Sequence, residues 1–150
     1  MSGGATTNLL AMGAQMVREV QPGYAGPARW EEIRKAVEAG LPVQAVKELQ
    51  AELKRIGVGR PSEYVESIVS RASRQRRTRL KPEEGEMLVR VASVIARALE
   101  VWGDERDAAA FLTSPHALLG DATPIDRARS DIAARQVEGI LLRLDLGIPV

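Results

Sequence analysis

The sequence predicts an all-α fold, and three observations carry that reading. Apolar residues recur at spacings of three and four through most of residues 28–150, the period of one helix face. The stripes are bracketed by helix punctuation, with Pro, Ser, Thr or Asp at starts and Gly at ends. No stretch alternates apolar and polar residues as a half-buried strand does, and there is no internal repeat. Composition agrees: 45% hydrophobic and 27% charged residues in a chain of 150 suit one domain, or two small ones sharing a core. Aromatic residues make up only 3%, so Leu, Val, Ile and Ala must build that core.

Residues 1–27 read as a tail with expected flexibility. Leu9, Leu10, Met12, Met16, Val17 and Val20 line at most a weak helix, interrupted by Gly13. Such a segment frays or docks on a partner protomer, and the Pro- and Gly-rich residues 21–27 separate it from the helices beyond. The first firm helix carries Trp30, Ile33 and Val37 on one face, and Gly40 suits its C′ position. The second spans residues 42–56, with Pro42 in its first turn and Val43, Val46, Leu49, Leu53 and Ile56 inward. A short helix over residues 62–69 comes next, carrying Tyr64, Val65, Ile68 and Val69. Ser70 can cap the helix after it, residues 71–79, which has almost no apolar face.

Pro82-Glu83-Glu84 opens the most regular helix, its acidic first turn complementing the macrodipole. Met87, Leu88, Val91, Val94, Ile95, Ala98, Leu99 and Trp102 form its stripe, and Gly103 ends it. Asp104 caps a helix bearing Ala108, Phe111 and Leu112, which stops at Ser114-Pro115. Residues 116–122 read as a loop. Thr123-Pro124 reads as an N-cap with proline at N1, and the last helix, residues 131–144, turns Val137, Ile140, Leu141 and Leu144 inward.

Composition excludes much chemistry. There are no cysteines, which removes disulfides, thiolate zinc sites and thiol nucleophiles, and the one histidine removes a multi-histidine metal site. No metal or cofactor is expected. His116 follows Ser114-Pro115 and could be read as a general base, but no glycine-rich oxyanion loop or orienting motif surrounds it, and a turn histidine is the preferred reading. There is no P-loop, GxGxxG or HExxH, so the chain reads as a non-enzyme. No run approaches ~18 apolar residues, and no signal-peptide pattern opens the chain, so a cytoplasmic protein without a membrane span is expected.

Charge is the informative property. The net charge is +1, yet residues 70–81 hold six basic and no acidic side chains, while residues 82–150 hold seven basic and twelve acidic ones. Within the basic segment Arg71, Arg74, Gln75 and Thr78 share one helix face, flanked by Arg76, Arg77, Arg79 and Lys81. Arginine reads guanine and glutamine reads adenine through paired hydrogen bonds, and the remaining cations suit phosphates. Arg71, Arg74, Gln75, Arg76, Arg77 and Arg79 are therefore the candidate nucleic-acid contacts, a solvated charged face being the competing reading. The apolar end, Leu146, Gly147, Ile148, Pro149 and Val150, either folds back on its own core or enters a partner's cleft.

From Leu80 onward the residues resemble the C-terminal toxin-binding domain of the Xre/MbcA/ParS antitoxins. The resemblance runs through Leu80-Lys81-Pro82-Glu83-Glu84, Arg90, Ala98-Leu99-Glu100-Val101-Trp102-Gly103-Asp104, Ala109, Phe111-Leu112 and Ser114-Pro115. It continues through Leu118-Leu119-Gly120, Thr123-Pro124, Val137, Leu141 and Leu146-Gly147. Residues 41–79 more loosely resemble that family's Xre-like helix-turn-helix. The departures are Phe111 for the usual tryptophan, Gly120-Asp121 for a common Gly-Gly, Ala133-Ala134 near a common glycine, and Lys81 before Pro82 in place of Ser or Thr.

The resemblance implies three regions: a tail (1–27), an Xre-like DNA-binding region (28–81) and a toxin-binding domain (82–150). It implies an antitoxin that dimerises, binds operator DNA and inserts its C-terminal end into the NAD cleft of a RES-domain toxin. Trp102 and Phe111 would then back residues 146–150 at the toxin contact. A transcriptional regulator without a toxin is the alternative.

Overall fold

The computed structural model describes residues 9–13 and 30–150, and all regular structure among them is helical. In order come α1 (Trp30–Ala39), α2 (Gln44–Arg55), α3 (Pro61–Glu66), α4 (Arg71–Arg76), α5 (Pro82–Trp102) and α6 (Glu105–Thr113). A 3-10 turn (Ala117–Leu119), α7 (Pro124–Arg127) and α8 (Asp131–Asp145) complete the chain. The expected all-α class holds.

Helix α5 is the axle. It touches α1, α2, α6, α7 and α8, and Leu88, Val91, Val94, Ile95 and Ala98 are fully buried along it. Burying each large aliphatic side chain contributes about 1.5–3 kcal/mol, so this one stripe anchors the core. Ser93 is its one buried polar residue among those described, and its hydroxyl donates to the Arg90 carbonyl at 2.8 Å. Gly103, at φ 67°, closes the helix as the sequence predicts. Helices α5 and α8 run in the same direction: Arg90 meets Asp131 at the start of α8 (3.6 Å), and Arg97 meets Asp145 at its end (3.3 Å).

Of the region read as a tail, residues 9–13 are described. They are helical, Leu9 is only 2% exposed, and its N–H donates to the Glu48 carboxylate at 3.4 Å. Gly13 is the last described residue of this stretch, so its expected interruption of a helix running on to Val20 lies outside the described residues. A Cβ there would lie 2.6 Å from the Ala92 carbonyl carbon, so glycine is what lets the segment lie on the α5 backbone. The expected roles of Met16, Val17 and Val20 and of the Trp30 side chain lie outside the described residues.

Three boundaries shift, two of them beside one short ribbon. Leu41 and Pro42 pair with residues 79 and 80 in a two-rung antiparallel contact: Leu80 N–H to Leu41 O at 2.8 Å, Val43 N–H to Thr78 O at 3.0 Å. Pro42 therefore belongs to this ribbon, and α2 starts at Gln44. At the other side Arg77 turns extended (φ −123°, ψ 153°), so the basic helix ends at Arg76 and leaves Thr78 off its face. Helix α3 closes at Glu66, and Val69 is buried in the turn after it.

Candidate functional site

Two surfaces at different ends of the sequence offer themselves to partners. The first is α4. It buries none of its residues, so packing does not hold it. Its ends do. Ser70 Oγ accepts the Ser73 N–H (3.1 Å), and the Glu66 carboxylate accepts the Arg71 N–H (2.9 Å) and pairs with Arg74 (3.3 Å). Just past the helix, Arg77 forks onto Glu84, with both N–H···O distances at 2.9 Å. That guanidinium holds the Glu84 carboxyl below the usual carboxylate range, and Glu84 also accepts the Lys81 N–H at 2.7 Å.

The six predicted contacts thus divide. Arg74 has a side chain only 16% exposed, Arg77 is tied to Glu84, and Arg79 donates to the Gly40 carbonyl at 2.8 Å. Arg71, Gln75 and Arg76 remain outward on exposed helix, with Arg71 and Gln75 one turn apart on one face. The residues that sequence reasoning missed are Glu66 and Glu84. Glu84 was visible as first-turn acid for α5, but nothing in its spacing said which of several cations it would clamp.

The second surface is the end of the bundle where α5 and α8 both finish. Trp102 is 39% exposed and leans on Phe111 with ring centroids 5.9 Å apart. Phe111 in turn meets the edge of His116 at 6.3 Å. His116 Nδ1 accepts the Leu118 N–H (3.2 Å), and its backbone pairs with Ala122. The Arg127 guanidinium holds the same loop through the Leu119 carbonyl at 3.0 and 3.2 Å. The imidazole is thus engaged in holding a turn. Asp121 adopts φ 63°, the left-handed region, which is why a glycine suits that place in the resembling family.

Helix α8 ends in a Schellman motif. Gly147 takes φ 73°, the Ile148 N–H reaches the Arg143 carbonyl (2.8 Å), and the Gly147 N–H reaches Leu144 (3.1 Å). Beyond this cap the chain does not fold back. Leu146, Ile148 and Val150 are 64%, 42% and 46% exposed. Because α5 and α8 run the same way, Trp102 and this tail lie toward the same end of the bundle.

Between the two surfaces a polar clasp joins the halves. Tyr64 on α3 donates its hydroxyl to the Ile125 carbonyl at 2.6 Å, and the Arg129 guanidinium stacks 4.4 Å over its ring while donating to Ser67 at 2.7 Å. Among the described residues no group of three or more His, Asp or Glu side chains converges to hold a metal, and no helix is long and apolar enough to cross a membrane.

No curated protein matches the chain. Residues 97–147, running from the last turns of α5 to the glycine that caps α8, match the family model of the antitoxin Xre/MbcA/ParS C-terminal toxin-binding domain, so this part of the chain is similar to that domain.

Proposed function

We propose that the chain is the antitoxin of a toxin–antitoxin pair whose toxin is a RES-domain enzyme, one that degrades NAD or uses it to ADP-ribosylate a target. The tail, Leu146, Gly147, Ile148, Pro149 and Val150, would fill that enzyme's NAD cleft, with Trp102 and Phe111 behind it. The observation that carries this reading is the exposed apolar tail, launched by the α8 cap at the very edge of the toxin-binding match. Three apolar side chains standing in water favour a partner's pocket. Pro149 restricts the conformers lost on docking.

The chain itself is not an enzyme in this reading; its activity is occlusion in the cytoplasm. Its second role is to repress its own operon as a homodimer, the exposed α4 entering operator DNA. A two-fold pair of such helices would read half-sites about 34 Å apart. The exposure of Arg71, Gln75 and Arg76 supports this second role.

Truncation after Asp145 tests the inhibitory step. The buried face of α8, Val137, Ile140 and Leu141, is intact in that variant, so it stays folded. It should keep promoter binding in a gel shift and lose inhibition of NAD consumption by the toxin. Full inhibition by the truncated protein would show that the tail does not occupy the cleft.

A further inference from the structure

Exposed apolar surface on α8 is not confined to its tail. Ile132, Leu142 and Leu146 are 76%, 49% and 64% exposed. They stand at i, i+10 and i+14, one outer face of the helix, with Arg135 and Gly139 between them and Arg143 alongside. The inner face is already buried against the core through Val137, Ile140 and Leu141. A helix that is apolar on both faces has a neighbour on both faces.

Gly139 adds a second observation. It lies within α8, where glycine weakens a helix relative to any ordinary residue. Nothing among the described residues requires it: apart from its own helix, a Cβ there would have none of their atoms within 4 Å. Gly85 on α5 is the contrast. A Cβ at Gly85 would sit 3.4 Å from Val37 and 3.5 Å from Leu41, so the crossing of α1 explains that glycine. At Gly139 no described part of the chain makes such an approach, which leaves the position open to a partner.

We infer that the outer face of α8 is a second contact surface for the toxin, continuous with the tail. An apolar ridge of the partner lies over Gly139 between Ile132 and Leu142, and carboxylates on its flanks meet Arg135 and Arg143. The inference rests on the reading of the partner as a toxin. The occupant is the toxin because the face lies wholly inside the toxin-binding match and runs directly into residues 146–150. A second copy fits less well. Arg135 and Arg143 stand four residues either side of Gly139, so two copies crossing there set arginine against arginine in either direction.

The test uses the full chain and a purified RES-domain enzyme, the toxin class proposed above. Gly139→Gln should raise the melting temperature, because glutamine is a good helix former in open space. The same variant should bind the toxin at least tenfold more weakly and inhibit its NAD consumption correspondingly less. Leu142→Ser should weaken binding with the melting temperature unchanged, and Arg143→Glu should do so in a salt-dependent way. Wild-type affinity in Gly139→Gln overturns the inference. So does a switch from dimer to monomer by light scattering with toxin affinity intact, which would give the face to a second copy. A wild-type chain that does not bind the RES protein removes the underlying reading, whereas binding lost on truncation but not in Gly139→Gln removes this inference alone.

Discussion

Helix α5 buries nine residues between Gly85 and Ala98, whereas α4, joined to it by residues 77–81, buries none. The two helices are stabilised by different physics. In α5 the helical backbone is fixed by what packs on it, from α1 and α2 at one side to α6 and α8 at the other. In α4 six residues are too few to be helical on propensity, since isolated helices below about 12 residues are marginal in water. What holds α4 is its ends: buried Val69 before it, buried Leu80 after it, the Ser70 cap, and carboxylates from α3 and α5. One helix should therefore be sensitive to polarity and the other to charge.

The largest effect expected is on α5. Val94 is completely buried. Val94→Asp places a carboxylate there without a partner, which costs at least about 3 kcal/mol and should unfold the chain. Circular dichroism on heating checks it, and a wild-type melting temperature would mean that this face has room for water.

The same contrast explains what was legible in the sequence. The bounds of α5, Pro82 and Trp102, follow from a long apolar stripe between a proline and a glycine. Burial writes itself into periodicity, so the core and the all-α class could be read residue by residue. Helix α4 left no such trace. Its end at Arg76 is set by Glu84, seven residues past the arginine it clamps, and by the ribbon between Leu41 and Leu80. Ion pairs and ribbons join residues with no common period, so charge counting saw six equivalent cations where the fold engages three of them with other groups of the chain. Similarly, the close approach of Gly13 to the α5 backbone is a tertiary contact, which spacing along the chain does not record. At the C-terminal end the tail was legible as a choice between two states; Leu146, Ile148 and Val150 stand exposed, and their entry into a partner's cleft is the proposal made above.

A middle-sized effect is expected where residues 9–13 meet α5. Gly13→Ala puts a methyl group 2.6 Å from the Ala92 carbonyl carbon, closer than van der Waals contact allows. Backbone on both sides must shift, and overpacking of this kind costs about 1–3 kcal/mol. The thermal midpoint should drop, and exchange of the Leu9 amide, which donates to Glu48, should quicken. An unchanged midpoint would place α5's packing on this side in doubt, and with it the view that α5 is held from all around.

The smallest change in stability should come with the most telling change in function. The Arg77 and Glu84 side chains are 27% and 15% exposed, so their forked pair lies near the surface and its loss should cost little stability. Glu84→Gln keeps an oxygen for the Lys81 N–H and removes the charge that clamps Arg77. The variant gains one unit of positive charge beside a helix proposed to meet DNA. If that surface works as unstructured charge, operator binding should tighten. If α4 must be held at a fixed angle, binding should weaken in the more positive protein, because the helix pays its ordering entropy when it docks. The second outcome is expected, read by gel shift on the upstream promoter together with amide protection across Arg71–Arg76. Acid provides the same test without a mutation. The Glu84 pKa is lowered in the folded chain from its ordinary value of 4.5, so the pair's stabilisation is full above that value and is lost as pH falls through the lowered one. Protection of α4 should fall away in that acid range in the wild type. In Glu84→Gln it should be low already at neutral pH, and this particular dependence should be gone.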